Sequence, residues 1–381
     1  MGPVLRWTFL AVGTVALGAC QPRPTAASDQ TAASAPCGQV SFEYARGIHV
    51  SCYGSATLVT VDPGDTGTRI ARYWLVPRGS TPPSTNPDAE IIHTPVRSYA
   101  LESFTGLLSV IDELGLERGL VGVSSFDELF PSYHELTRLR KSGQIRQTGG
   151  GAGINQEILL DLSPELVIVM FYEHSSLSAL GRAGVHTIVF GMEQEKTALA
   201  RAEWVKLLAL LFNRGQDGSR LFEGVRQRYL SLASLTRDRP AVKVLATKGA
   251  ADRWTSYGFE REFIKDGGGR LVMPGDGYDA EFSSEYVIEN GMDAPVWPFA
   301  SPRWRSIQEA VRADPALGML TAVRTGRVYC NNAKRTVGYV NPYYTAAFVR
   351  PDEILADLVT ILHPETALNH ELIYFRKVPE R

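Results

Sequence analysis

Two acidic residues occupy matching places in two similar stretches of sequence. Glu157 follows a polar start in INQEILLDLSPELVIVM (154–170), where a short helical pattern turns into an apolar strand; Glu285 holds the same place in FSSEYVIENGMDAPVWPF (282–299). Two exposed carboxylates at a fixed separation can engage paired basic sockets on a partner, although either one alone is also what a helix dipole favours in a first turn. A second group of residues suits a ligand. Three of the six tryptophans, Trp254, Trp297 and Trp304, fall close together with Tyr257, Tyr278 and Arg303, and Arg335 follows. Tyr99, Phe126 and Tyr172 stand near predicted strand ends earlier in the chain. Flat amphipathic rings rimmed by arginine suit a bulky, partly apolar ligand that carries anionic oxygens. Trp297, inside APVWPF, reads equally well as core.

Catalysis finds no support in the same inventory. The chain carries no Gly-x-Ser-x-Gly elbow, P-loop or zinc motif, and its seven histidines do not cluster. The glycine-rich turn from Gln147 to Gly153 lacks both the third glycine and the preceding strand of a dinucleotide loop. A net charge of −2 without a basic cluster excludes nucleic acid as a partner. The expected chemistry is recognition, with no cofactor.

Positioning these groups requires a rigid frame, and residues 216–237 supply one. Leu221, Phe222, Val225, Tyr229 and Leu232 recur at helical spacing, with Arg220, Glu223, Arg226 and Arg228 on the other face. A helix of this length spans about 33 Å and reads as a strut between two lobes. Strand and helix patterns alternate on both sides of it. The first lobe is expected over 91–215, with strands Pro95–Tyr99, Leu120–Val123, Val167–Tyr172 and Val185–Phe190. The second is expected over 238–381, with strands Val242–Thr247, Pro295–Phe299 and Val323–Tyr329 and a closing helix bounded by Pro351 and Pro364. Ahead of both, 38–90 reads as a small β-meander (VSFEYA, HVSCY, ATLVTV, RIARYWLV) and a Pro/Ser/Thr-rich loop.

The N-terminus indicates a compartment. Arg6 precedes an apolar run from Trp7 to Leu17 that suits a signal sequence and is too short for a permanent span. Leu17-Gly18-Ala19-Cys20 resembles the lipobox of bacterial lipoproteins, which implies a signal peptide over 1–19 and a lipid on Cys20. Residues 20–37, low in hydrophobicity and rich in Ala, Ser, Thr and Pro, are then a flexible tether that places the body in the periplasm or at the cell surface. Outside the cytoplasm a disulfide is permitted; Cys37 and Cys52 flank a hairpin-like segment and are the expected pair, which leaves Cys330 as a buried thiol.

The succession EILLDLSPELV (157–167), AGVHTIV (183–189), the strut, GGGR (267–270), SEYVI (284–288), AVRTGRVY (322–329) and RPDEILADL (350–358) resembles the substrate-binding proteins of iron-chelate and cobalamin ABC importers, over roughly residues 90–375. That resemblance implies two Rossmann-like α/β lobes joined by one long helix, the class III periplasmic binding protein architecture, here with an N-terminal β-meander. It implies a monomer that captures an iron chelate (ferric siderophore or haem) in the inter-lobe cleft and docks Glu157 and Glu285 onto arginines of a permease dimer. Cobalamin-binding members tend to carry a tryptophan shortly before the first docking glutamate. Here that place is glycine, Gly149 to Gly153, which favours an iron chelate over a corrinoid. Haem would have Tyr172, Tyr257 or His174 as axial candidates. An interaction module working through the β-meander is the alternative outside transport.

Overall fold

The computed structural model describes residues 40–62, 71–102, 106–126, 133–149, 154–170, 178–182, 184–248, 254–273, 280–335 and 341–381. Residues 35–381 form one compact unit. Four strands open it: β1 (Ile48–Tyr53), β2 (Ala56–Val61), β3 (Ala71–Pro77) and β4 (Glu90–Thr94), in that order across the sheet. The first three pair antiparallel, as a meander should; β4 lies parallel to β3, so residues 90–94, expected in the loop and at the start of the first lobe, belong to this sheet instead. One sheet face packs on the first lobe through Val59, Val61, Tyr73 and Leu75, and the other covers Leu58, Trp74 and Val76 in a small core of its own.

The first lobe runs β5 (Tyr99–Glu102), α1 (Leu107–Glu113), β6 (Leu120–Val123), α2 (His134–Lys141), β7 (Arg146–Gln147), α3 (Gln156–Leu162), β8 (Leu166–Met170), α4 (Ser178–Arg182), β9 (His186–Phe190), α5 (Ala198–Glu203) and α6 (Val205–Leu211). Its five strands are all parallel in the order β7-β6-β5-β8-β9. Helices cover such a sheet on both faces, which explains why β5 is buried at all four residues. The strand order reverses between β5 and β8, the place where open α/β sheets take ligands at their carboxyl ends.

α7 (Gly215–Thr236) follows, one residue out of register with the expected strut. Its buried residues Phe222, Val225 and Tyr229 repeat at intervals of three and four; Phe222 and Val225 enter the core of the first lobe, and Tyr229 enters that of the second. One helix face is therefore shared between two cores, and this fixes the lobes along a single rod.

The second lobe holds β10 (Val242–Leu245), β11 (Thr247–Lys248), β12 (Trp254–Ser256), α8 (Gly258–Asp266), β13 (Gly269–Val272), β14 (Ala280–Phe282), α9 (Ser284–Gly291), α10 (Ile307–Ala313), α11 (Thr321–Arg324), β15 (Tyr329–Cys330), α12 (Pro342–Val349), α13 (Pro351–Leu362) and β16 (Arg376–Lys377). β10 pairs parallel with β13, and the sheet continues only through single parallel bridges, Val244 to Val296 and Trp297 to Val328. The strands expected over 295–299 and 323–329 thus shrink to bridge positions, and Thr321–Arg324 is helical. β12 pairs antiparallel with β11 and β14 in a separate ribbon, as β15 does with β16. Where the strut ends, Gly268 turns the chain at φ +77°, its carbonyl accepting from Val242 N–H at 2.9 Å and meeting His363 Nε2 at 3.1 Å.

The lobes meet through more than the rod. Val349 of α12 lies in the first core while Tyr343, Ala346 and Ala347 of the same helix lie in the second. Arg350 reaches Glu113 of α1 at 2.9 Å, and buried Arg201 of α5 reaches Glu262 of α8 at 2.7 Å. Among the described residues no helix is long and apolar enough to cross a membrane. Cys52 is disulfide-bonded and Cys330 is a buried free thiol; Cys20 and Cys37 lie outside the described residues.

Candidate functional site

Glu157 and Glu285 occupy the second position of their helices, one on each lobe, and both side chains are exposed. Each helix is capped two residues earlier. Asn155 accepts from Ile158 N–H at 3.1 Å, and Ser283 accepts from Tyr286 N–H at 3.2 Å. The free amides of a capped first turn favour negative charge there. Glu285 accordingly titrates below the usual carboxylate range, held down by its own backbone N–H and by the Ser283 hydroxyl. Both helices are tied to neighbouring strands. Asn155 N–H donates to Thr148 O at 2.6 Å, and the Thr148 hydroxyl bonds buried Glu102 at the end of β5. Trp254 of β12 donates from its indole to Ser284 Oγ at 3.1 Å.

The expected ligand-facing aromatics divide sharply. Tyr99 is fully buried, its hydroxyl donating to Leu116 O at 3.1 Å, because its strand is central in a sheet covered on both faces. The three tryptophans are core as well. Trp254 and Trp297 stack at 5.0 Å, Trp304 packs edge-on against Trp297 at 5.4 Å, and the Trp297 indole donates to Ala246 O at 2.9 Å. At 2%, 0% and 7% exposure they offer a ligand no surface, so Tyr99, Trp254, Trp297 and Trp304 are removed from the site. Phe126 is half-buried beneath the Arg140 guanidinium, 4.4 Å above its ring. Tyr257 remains a surface group: it stacks on Phe259 at 6.0 Å, and Phe259 meets exposed Tyr344 edge-on at 6.2 Å. Arg303 and Arg335 are exposed. Tyr172 and Tyr278 lie outside the described residues, as does His174.

A crevice of about 1200 Å³ opens beside the strut, floored by Tyr229 and Leu230 of α7. Thr197, Leu199, Gly258, Arg270 and Met273 also line it. None of the residues expected to face a ligand lines this crevice, although Tyr257 is the N-cap of α8 and adjoins Gly258 in its wall. Its acids are largely committed within the protein. Asp266 accepts the Tyr229 hydroxyl at 2.5 Å, and burial together with that carboxylate pushes the phenol well above its ordinary range. Glu262 accepts from Arg201 and from Ala198 N–H, both at 2.7 Å; burial raises its carboxyl against the pull of Arg201. Sequence reasoning missed this crevice because its walls come from four separate segments and carry no local pattern. Among the described residues no group of three His, Cys, Asp or Glu could hold a metal.

Comparison with known proteins agrees with the two-lobed fold. An uncharacterized lipoprotein of Methanocaldococcus jannaschii is 24% identical over 306 residues, covering 76% of this chain and 70% of the relative. Among solved structures, the TroA-like periplasmic binding protein FepB of Veillonella parvula superposes with a TM-score of 0.58 at 12% identity, over 75% of this chain and 95% of that one. The periplasmic vitamin B12 binding protein BtuF of Vibrio cholerae does so with a TM-score of 0.50 at 17% identity, over 72% of this chain and 99% of that one. The periplasmic binding protein model matches residues 104–333, more than half of the chain and both sides of the strut. With two α/β lobes on one helix and a crevice beside it, the chain belongs to the periplasmic binding protein family, whose members hold solutes and do not transform them.

Proposed function

We propose that this protein is the lipid-anchored solute receptor of an ABC importer, which captures an anionic iron chelate, a ferric siderophore or haem, between its lobes and presents it to a permease. The observation that carries the reading is the equivalence of Glu157 and Glu285: same helical position, a side-chain cap bonded to the amide that follows each glutamate, both exposed, one on each lobe of a body braced by α7. A rod-held pair of carboxylates is a gauge for two basic sockets on a two-fold partner. The chelate is favoured over a corrinoid by charge: Lys196 and Lys265 of the crevice make no ion pair among the described residues, Arg270 is drawn only at longer range to Asp293, and a corrinoid ringed by neutral amides has no use for them. Cys20, through a lipid, would hold the body at the membrane surface, in the periplasm or at the cell exterior.

The test is the double variant Glu157→Ala, Glu285→Ala in a transport assay, with binding followed in parallel by tryptophan fluorescence against a ferric tricatecholate, haemin and cyanocobalamin. Retained binding with abolished uptake is the expected outcome. Normal uptake by the double variant overturns the docking assignment. Quenching by cyanocobalamin alone overturns the chelate.

A further inference from the structure

The segment that leads into β1 is held by groups far from it in the chain. Residues 40–45, expected as the first strand of the meander, form no strand, and neither do 46 and 47 after them, so their N–H groups need other acceptors. Two buried carboxylates supply them. Glu203, at the end of α5 and fully buried, accepts from Glu43 at 3.0 Å, Tyr44 at 2.7 Å and Ala45 at 2.8 Å. Glu195 accepts from Arg46 and Gly47, both at 2.9 Å, and from the Trp204 indole at 3.1 Å. Lys206 completes the clamp, its ammonium 2.7 Å from Glu203 and 2.8 Å from the Ser41 carbonyl. Charge-assisted bonds are about twice as strong as neutral ones, and here five backbone donors share two anions.

What this clamp presents is Tyr44. The ring lies edge-on to Phe222 of the strut at 5.9 Å and packs against the cores of both lobes. Its remaining surface lines the crevice. Leu230, 38% exposed, contributes an apolar patch to the same lining, and Lys196, Lys265 and Arg270 line it as exposed cations. The family model begins at residue 104, so the strap and its tyrosine lie outside the segment it matches. A ring, an apolar floor and exposed positive charge, beside acids already bonded to Tyr229 and Arg201, together recognise one chemical class: a flat aromatic group carrying acidic oxygens.

We infer that the strap is a built part of the ligand site, and that Tyr44 with Lys196, Lys265 and Arg270 binds an aromatic anion in the crevice beside α7. This rests on the solute-binding reading above and assigns its ligand contacts to residues outside the matched family segment. An aromatic sulfonate, 8-anilinonaphthalene-1-sulfonate, serves as probe, so no natural ligand is needed. The native protein should bind it saturably at one site, more weakly as salt rises. Lys265→Glu with Arg270→Glu, both exposed, should weaken binding at least tenfold. Tyr44→Leu should weaken it at least fivefold, and Tyr44→Phe, which keeps the ring, less than twofold. Tyr53→Ala, an exposed ring on the N-terminal sheet, should change nothing. Glu203→Gln should match the loss in Tyr44→Leu; should that variant fail to fold, the Tyr44 and charge variants, checked by near-UV circular dichroism, decide alone. Absence of saturable binding, or affinity indifferent to both the ring and the charges, overturns the inference. The chelate titrations are independent of this probe: quenching by a chelate with no effect of Tyr44→Leu sinks the strap site and leaves the importer reading standing.

Discussion

Gly268→Ala is expected to be among the most damaging single-methyl additions in the second lobe, and the reason can be split into two parts. At φ +77° a Cβ is strained wherever it points, at about 1–2 kcal/mol, partly offset by about 0.4–1 kcal/mol from a stiffer unfolded chain. The second part is space. The new methyl would sit 2.5 Å from His363 Nε2 and 2.7 Å from Thr236 Cβ, the last residue of the strut. Neither neighbour is the free end of a flexible chain: the Thr236 hydroxyl bonds the Asp266 carbonyl at 3.1 Å, and His363 is buried and bonded to Glu365 at 2.9 Å. Overpacking of that kind adds about 1–3 kcal/mol, for a total of roughly 1–4.5 kcal/mol. Gly143→Ala isolates the first part, because Gly143 has nearly the same φ, +75°, with nothing within 4 Å of its added methyl. That variant should lose about 1 kcal/mol or less. Urea denaturation of both variants at unchanged m measures the difference. At about 2.1 cal/mol/K per residue over a body of roughly 350 residues, Gly268→Ala should melt about 1–6 °C lower. Equal losses in the two variants would show that the strut end has room, and the packing argument would fail.

Two further outcomes follow from the site and the core. Ser283→Ala should raise the titration midpoint of Glu285, read by carboxyl NMR, toward the ordinary 4.5, and should cost about 1 kcal/mol through the lost cap. The sign is fixed by the depressed value: the favourable interaction of Glu285 with its helix is complete above 4.5 and disappears as pH falls through the lower folded midpoint. A midpoint unmoved by the substitution would remove Ser283 from the account. Cys330, whose thiol burial pushes up to about 11, should resist iodoacetamide at about pH 8 in the native protein and react promptly once denatured; labelling of the folded form would contradict its placement.

Local pattern carried much of the frame. The strut, the closing helix and the strands at 120–123 and 186–190 appear within about a residue of expectation, because each is bounded by its own cap, glycine or proline. The helix-start placement of Glu157 and Glu285 was legible for the same reason, as both sit three residues or fewer beyond a polar start. The tryptophans were not. A short strand in a lobe buried on both faces gives no alternation to say which way a ring points, and Trp254 and Trp297 turned inward to stack. Residues 40–45 alternate like a strand, yet the amides of 43–47 donate to carboxylates some 150 to 160 positions away, so no window along the chain could contain the answer.

The shared ownership of α12 has a mechanical corollary. If the halves were to swing apart like a book, Val349 would leave the first core, at about 1.5–3 kcal/mol for a fully exposed valine, while Arg350 parted from Glu113 and Arg201 from Glu262. Thermal agitation will seldom supply that sum at once, and small sliding motions are what remain accessible. On the receptor reading proposed above, cargo would therefore leave slowly from the free protein, and the force that empties it would come from a partner.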